Sequence, residues 1–173
     1  MDNGLQTIAV DTFLPMLESL AAILDKASAY AESAAVDLVN ARLAPDMFTL
    51  AEQVREACYY AKDGTARIAG EPAVPRDGTE TTLSGLKSQI GRAVDHVRSP
   101  PAALDGAEKR DCSIELPNGM VIEMDGSRFL KAWLLPHFYF HLVTAYDILR
   151  ANGLDIGKKD FLSHAAGFMR QAA

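Results

Sequence analysis

The stretch that decides the fold covers residues 112–153, "CSIELPNGMVIEMDGSRFLKAWLLPHFYFHLVTAYDILRANG". Its first part alternates apolar and polar residues on both sides of Asn118-Gly119. Asn-Gly between two alternating runs is the strongest short-range signal for a β-hairpin, because both residues accept the positive φ that a tight two-residue turn demands. We therefore predict a hairpin over residues 112–124.

The second part of the stretch changes period, with apolar residues recurring every three or four positions as in an amphipathic helix. We predict a long helix over 127–151, kinked at Pro136, where a backbone hydrogen bond is lost and the proline ring crowds the preceding turn. Asn152-Gly153 ends this helix. The sequence after it, residues 155–173, is expected to form a short terminal helix or a tail.

The same helical period recurs upstream and predicts three more helices, over 11–32, 46–69 and 79–98. Asp11 or Thr12 is expected to cap the first, and Asp46 the second, with Phe48 on its buried face. The residues expected to be mostly buried are Leu17, Leu24, Val54, Leu86, Ile90, Leu142, Ala145 and Leu149. Cys58, in the second helical pattern, is expected to be a small buried residue.

Length and composition favour one domain. The chain has 173 residues, of which 49% are hydrophobic, so it is long enough to bury a core of its own. Four helices with one hairpin before the last long helix predict an all-α fold, a four-helix bundle over residues 1–173. No internal repeat or low-complexity tract argues for another arrangement.

The charge pattern bears on partners and location. A net charge of −6, with Lys and Arg scattered singly, offers no basic patch for nucleic acid or for an anionic membrane surface. The N-terminus lacks the pattern of a secretory signal, and the most apolar run, "FLKAWLLP", is too short to span a bilayer. We expect a cytoplasmic protein with reduced cysteines, since Cys58 and Cys112 form no C-x-x-C pair.

His137 and His141 are the residues whose spacing points to chemistry. Residues four apart share one helix face, with Cβ atoms about 5–6 Å apart, so both imidazoles can converge on one divalent ion. Catalytic zinc usually has three protein ligands and an open position, and the predicted second helix contains no histidine. A histidine on an apolar face also serves often as a hydrogen-bonded core residue. The pair is thus either a metal site or a structural feature.

The segments "LAPDMFTLAEQVREACYYAK" and "LLPHFYFHLVTAYDILRANGLDIGKKDFL", with the hairpin between them, resemble a bacterial family of unknown function related to the DinB/YfiT-like metalloenzymes. The resemblance covers nearly the whole chain and implies a DinB-like bundle, commonly a homodimer. It also implies a metal site built from one histidine on the second helix and an H-x3-H pair on the last. Here the pair is His137 and His141, and Glu56 falls where the remaining histidine would stand. This gives a His-His-Glu set for Zn or Ni.

Two functional hypotheses from different classes follow. In the first, the protein is a metal-free dimer that binds a small molecule or another protein. In the second, it is a divalent-metal-dependent enzyme of hydrolase or thiol-transferase type. No G-x-S-x-G elbow, phosphate-binding glycine loop or recognisable Cys-His arrangement adds a catalytic group. His96 and His164 are expected to be solvated or to cap a helix end, and Asp147 to be structural.

Overall fold

The computed structural model describes residues 4–99, 104 and 106–170 of the chain. Its long helices are α1 (Gly4–Ala34), α2 (Leu50–Ala69), α3 (Leu83–Arg98) and α5 (Leu135–Ala151). The strands β1 (Asp111–Glu115) and β2 (Val121–Asp125) form an antiparallel hairpin before the last long helix. The short elements are the 3-10 turns Ala107–Lys109 and Ser163–Phe168, the helices α4 (Gly126–Arg128) and α6 (Lys158–Phe161), and the π-turn Phe129–Leu134. The predicted all-α fold, a four-helix bundle with a hairpin, is confirmed.

The bundle has one hydrophobic core. α1 packs along α3, and α2 packs along both α3 and α5, so α2 lies at the centre of the arrangement. Phe13 of α1 meets Phe138 of α5 edge to face, with ring centroids 4.8 Å apart. The core positions expected from the sequence are all buried, as is Cys58: Leu17, Leu24, Val54, Leu86, Ile90, Leu142, Ala145 and Leu149.

α1 begins earlier than the sequence pattern suggested, and the caps expected at Asp11 or Thr12 are wrong. Pro15 therefore lies inside the helix, where proline costs about 3 kcal/mol relative to alanine. The added turns place Leu5 and Ala9, at 2% and 0% exposure, on the same buried stripe as Phe13 at 0%. Fully burying Leu5 and Phe13 stabilises the fold by roughly 1.5–3 kcal/mol each, which offsets the proline.

By length and composition, residues Thr7–Ala34 of α1 would also be sufficient to cross a membrane. Yet Leu17, Leu24 and the other residues of its apolar stripe face the protein core. One face of α1 thus belongs to the core of the bundle.

α2 starts at Leu50, so the prediction that Asp46 caps it is also wrong. Thr49 is the N-cap, and its backbone N–H donates to the Glu52 carboxylate at 2.7 Å while its hydroxyl accepts from the Glu52 N–H at 3.3 Å. This reciprocal capping box satisfies two amides at the helix start. Phe48 precedes the helix and is 49% exposed, against the expectation that it would be buried.

The hairpin spans the predicted residues, but its turn differs from the expected two-residue type. Leu116 N–H donates to Met120 O at 2.7 Å and Gly119 N–H donates to Leu116 O at 2.9 Å, so three residues form the loop. Only Gly119, at φ 80°, has positive φ in this loop. The Asn118 side chain instead accepts from the Met120 N–H. A three-residue loop closed by a left-handed glycine is the next most common hairpin connection.

The helical segment from Gly126 to Ala151 contains a π-turn where a kink at Pro136 was expected. Leu135 N–H bonds to Leu130 O, five residues back, at the end of the π-turn Phe129–Leu134. The wider turn relieves the clash that a proline ring makes with the carbonyl four residues before it. It also leaves Trp133 and His137 on the same face, with ring centroids 4.3 Å apart.

Candidate functional site

A cleft of about 380 Å³ opens between α2, the hairpin and the start of α5. Its walls combine aromatic rings with charged side chains, and the hairpin closes one side. The lining residues are Tyr59, Tyr60, Asp63, Arg67, Arg76, Ile114, Glu115, Leu116, Pro117, Trp133 and His137. Of the two histidines predicted as metal ligands, His137 lines this cleft, whereas His141 lies one turn further along α5 and is buried.

Aromatic rings in contact extend from the cleft along α5. Trp133 lies tilted by 42° against His137, and His137 stacks on Tyr60 of α2 at a centroid distance of 4.6 Å. Tyr60 also stacks on His141 at 5.5 Å, nearly parallel. Phe48 continues the stack beyond His141 at 6.3 Å. The packing of α2 on α5 thus brings one tyrosine ring against both imidazoles, an arrangement that the sequence did not indicate.

Both histidines have a defined tautomer. Nδ1 of His137 lies 2.7 Å from Trp133 O, and a carbonyl oxygen only accepts, so this nitrogen donates. Nδ1 of His141 lies 2.7 Å from Oε1 of Gln53 and donates to it. In each neutral ring the proton is on Nδ1, which leaves the lone pair on Nε2. Such outward anchoring of Nδ1 is also what metal-ligating histidines show.

Gln53 is the residue that sequence reasoning missed. It is 1% exposed, and it belongs to the inward stripe of α2 with Leu50, Val54 and Ala57. A lone glutamine on an otherwise apolar stripe is a usable signal, since buried amides are almost always hydrogen-bonded. Burial also lowers the pKa of His141 from 6.5 to about 4, with nearby His137 and Arg76 contributing, while Glu56 acts in the opposite direction.

Glu56, the third predicted ligand, is engaged elsewhere. Its carboxylate accepts from Arg76 Nε at 3.0 Å and from Arg76 Nη2 at 3.2 Å. The Arg76 guanidinium also lies over the Tyr59 ring, with Cζ 4.0 Å from the centroid. Within residues 4–99, 104 and 106–170, no three His, Cys, Asp or Glu side chains are grouped as a metal site requires. The donors therefore fit a three-ligand ion only in part: two imidazoles are available, and the carboxylate is ion-paired.

The remaining candidates lie outside this cleft. Burial raises the pKa of Cys58 to about 12, so its thiol stays protonated and unreactive. His96 is half-buried in the last turn of α3, where a histidine at the helix end was one of the two expectations. Its Nε2 atom is buried without a partner among the described residues. His164 lies exposed in the C-terminal 3-10 turn, and Asp147 lies exposed on α5.

Comparison with known proteins supports the fold and the family. A family described as "Domain of unknown function (DUF1993)" matches residues 5–162. The chain is 39% identical to a solved structure described as a DinB family member protein from Shewanella denitrificans, with a TM-score of 0.84. The match covers 99% of this chain and 97% of that one. No curated protein matches.

Proposed function

The chain belongs to the DUF1993 family, and from this premise we propose that it is a binding protein whose cleft at Trp133, His137 and Tyr60 takes a small planar molecule. The observation that carries this proposal is the set of stacked rings that ends in the cleft. Aromatic faces favour planar ligands, because stacking adds to the apolar area that binding buries.

The size and lining of the cleft support the same proposal. Its volume of about 380 Å³ lies within the range of about 300–1,000 Å³ typical of small-molecule sites. Such sites combine mainly apolar and aromatic walls with a few polar groups that orient the ligand. Here the Nε2 lone pair of His137 and the Glu115 carboxylate supply those polar groups.

The alternative function is a divalent-metal enzyme that uses His137, His141 and Glu56. The tautomers of the two histidines favour this alternative. Nδ1 of His137 donates to Trp133 O and Nδ1 of His141 donates to Gln53, so both Nε2 atoms carry lone pairs. A bound cation would replace Arg76, which is 58% exposed, as the charged partner of Glu56. A bound Zn or Ni ion would activate a water or a thiol. We assign no catalytic residue beyond this.

Intrinsic fluorescence tests the proposed function, because Trp133 is the single tryptophan of the chain. We expect benzamide, a neutral planar probe, to change Trp133 emission saturably. Tyr60→Leu should weaken that binding, since it removes one aromatic wall of the cleft. Tyr30→Leu is the matched control, because Tyr30 bonds to Asn152 O outside the cleft. The proposal fails if benzamide and its charged analogues, benzamidinium and benzoate, all leave Trp133 emission unchanged.

We also propose that the protein is a cytoplasmic homodimer without nucleic-acid or membrane partners, consistent with its net charge of −6. The dimer is supported by an apolar patch of Phe48, Phe140 and Val143, exposed by 49%, 58% and 40%. Exposed apolar patches often mark protein contacts. Sedimentation of wild type and Phe140→Ser tests this. Phe168→Ser, at an 85% exposed position near the C-terminus, is the control. An 18.7 kDa species alone for wild type would refute the dimer.

A further inference from the structure

Resting on the proposed function, we propose that the natural ligand of the cleft is an organic cation, and that the side chain of Arg76 occupies the cation's position in the free protein. Arg76 is on the connection between α2 and α3, and its guanidinium reaches back into the cleft wall. There it contacts two groups that together recognise cations, namely a carboxylate and an aromatic face.

The contacts of Arg76 define this position. Nε and Nη2 donate to the two carboxylate oxygens of Glu56 at 3.0 and 3.2 Å, the two-pronged geometry of a guanidinium on a carboxylate. Cζ lies 4.0 Å from the Tyr59 ring centroid, within the distance of a cation–π contact. An amidinium, guanidinium or ammonium group from a ligand would find the same two partners.

The charge of the cleft favours a cation once the structural ion pairs are set aside. Asp63 is 5% exposed, pairs with Arg67 at 2.6 Å and accepts from Val74 N–H at 2.9 Å. Arg67 also donates to Ser113 O. The Asp63–Arg67 ion pair therefore holds the α2–α3 connection, through Val74, and the hairpin, through Ser113. The other charged side chains of the lining are Glu115 and Arg76. Arg76 is paired with Glu56, which is not itself in the lining, so two carboxylates stand against one guanidinium.

Displacement of Arg76 is easier for a cation than for an anion. Arg76 is 58% exposed and can turn into solvent, whereas Glu56 is only 15% exposed. A cationic ligand keeps Glu56 paired. An anionic ligand that captured Arg76 would leave the Glu56 carboxylate without its partner at a partly desolvated position. The connection itself need not move, because Val74 N–H bonds to Asp63 and Asp77 pairs with Lys62 at 2.7 Å.

Calorimetric titration with three probes of one shape tests the inference: benzamidinium as the cation, benzamide as the neutral form and benzoate as the anion. We expect wild type to prefer benzamidinium. Arg76→Gln removes the internal competitor, so benzamidinium should bind on the order of tenfold more tightly. Arg92→Gln is the matched control, since Arg92 is 53% exposed and pairs with a Glu80 that is 16% exposed, outside the cleft lining. It should change the affinity by less than about twofold.

Glu56→Gln gives a second test that leaves Arg76 in the chain. It should abolish the preference for benzamidinium over benzamide while leaving benzamide binding in place. The inference is overturned if benzoate binds more tightly than benzamidinium, or if Arg76→Gln binds benzamidinium no more tightly than Arg92→Gln does. Either outcome leaves a small-molecule cleft intact. By contrast, loss of binding for all three probes would overturn the proposed function as well.

Discussion

Gln53 of α2 accepts a hydrogen bond from Nδ1 of His141 of α5 at 2.7 Å, between residues that are 88 positions apart. Both side chains are buried, at 1% and 7% exposure. Among the described residues, neither His141 Nδ1 nor Gln53 Oε1 has another hydrogen-bond partner, so this bond fixes the orientation of the imidazole. The bond links the two helices that form the floor and one wall of the cleft.

We predict that Gln53→Met destabilises the protein by about 1–3 kcal/mol, because it leaves the His141 N–H buried without an acceptor. Urea unfolding measures the change. The double variant Gln53→Met/His141→Leu should recover part of the loss, since replacing both partners by apolar groups removes the unsatisfied donor. The assigned hydrogen bond would be contradicted if the double variant were as unstable as Gln53→Met, or if its loss equalled the sum of the losses of the two single variants.

Stability should fall on acidification through His141. Its pKa is lowered to about 4 in the folded protein from 6.5, mainly by burial. Between these values the unfolded chain binds a proton that the folded chain does not, so the free energy of unfolding falls as pH drops from about 6.5 to about 4, by at most about 3 kcal/mol. The charged or titratable groups near the ring are Glu56, His137 and Arg76, together with Tyr60, which stacks on it and whose pKa is raised by burial.

His141→Gln removes the titrating group and keeps a donor for Gln53, so its stability should depend less on pH in this window. Urea unfolding at a series of pH values tests the difference. The control is His164→Gln, because His164 is exposed. A wild-type profile as flat as that of His141→Gln would show that the imidazole titrates normally.

Metal dependence separates the two candidate functions. In the metal-free account, protein purified without an affinity tag contains no stoichiometric Zn or Ni, and adding either ion leaves the melting temperature unchanged. A metal site would instead raise the melting temperature by mass action on the native state. In that case His141→Ala should abolish the rise, and His137→Asn should weaken it less. Elemental analysis and thermal melts together decide the matter.

Two glycines provide a matched test of packing. A Cβ on Gly126, at the start of α4, would overlap the Ala107 carbonyl oxygen of the backbone, whereas a Cβ on Gly91 of α3 would meet nothing within 4 Å. We expect Gly126→Ala to destabilise by about 1–3 kcal/mol through overpacking. Gly91→Ala should stabilise by up to about 1 kcal/mol through helix propensity. Equal melting temperatures for the two variants would contradict the close approach of α4 to the 3-10 turn.

The sequence predicted the bundle well because the apolar period of each helix is a local property. Leu17, Val54 and Leu142 could be assigned to the core from spacing alone. Helix starts were harder to assign. Thr49 rather than Asp46 caps α2, because Thr49 forms reciprocal hydrogen bonds with Glu52. The π-turn Phe129–Leu134 before Pro136 could not be predicted from the sequence, since a proline is compatible with a kink as well as with a π-turn.

The site was less accessible from sequence, because it depends on contacts between distant segments. The H-x3-H spacing singled out His137 and His141 as candidates, but it gave no sign of the Tyr60 ring stacked on both. Glu56 could be placed near His141 by helix position. Its pairing with Arg76, twenty residues away on a connection without regular structure, could not be inferred from any periodic signal.

A crystal structure of the wild-type protein soaked with benzamidinium tests the central claim most directly. The account predicts the amidinium group over the Tyr59 ring and on both carboxylate oxygens of Glu56, with its phenyl ring towards Trp133 and the Arg76 side chain turned into solvent. Benzamidinium bound away from this cleft, or a cleft with Arg76 still on Glu56 at saturating benzamidinium, would contradict it.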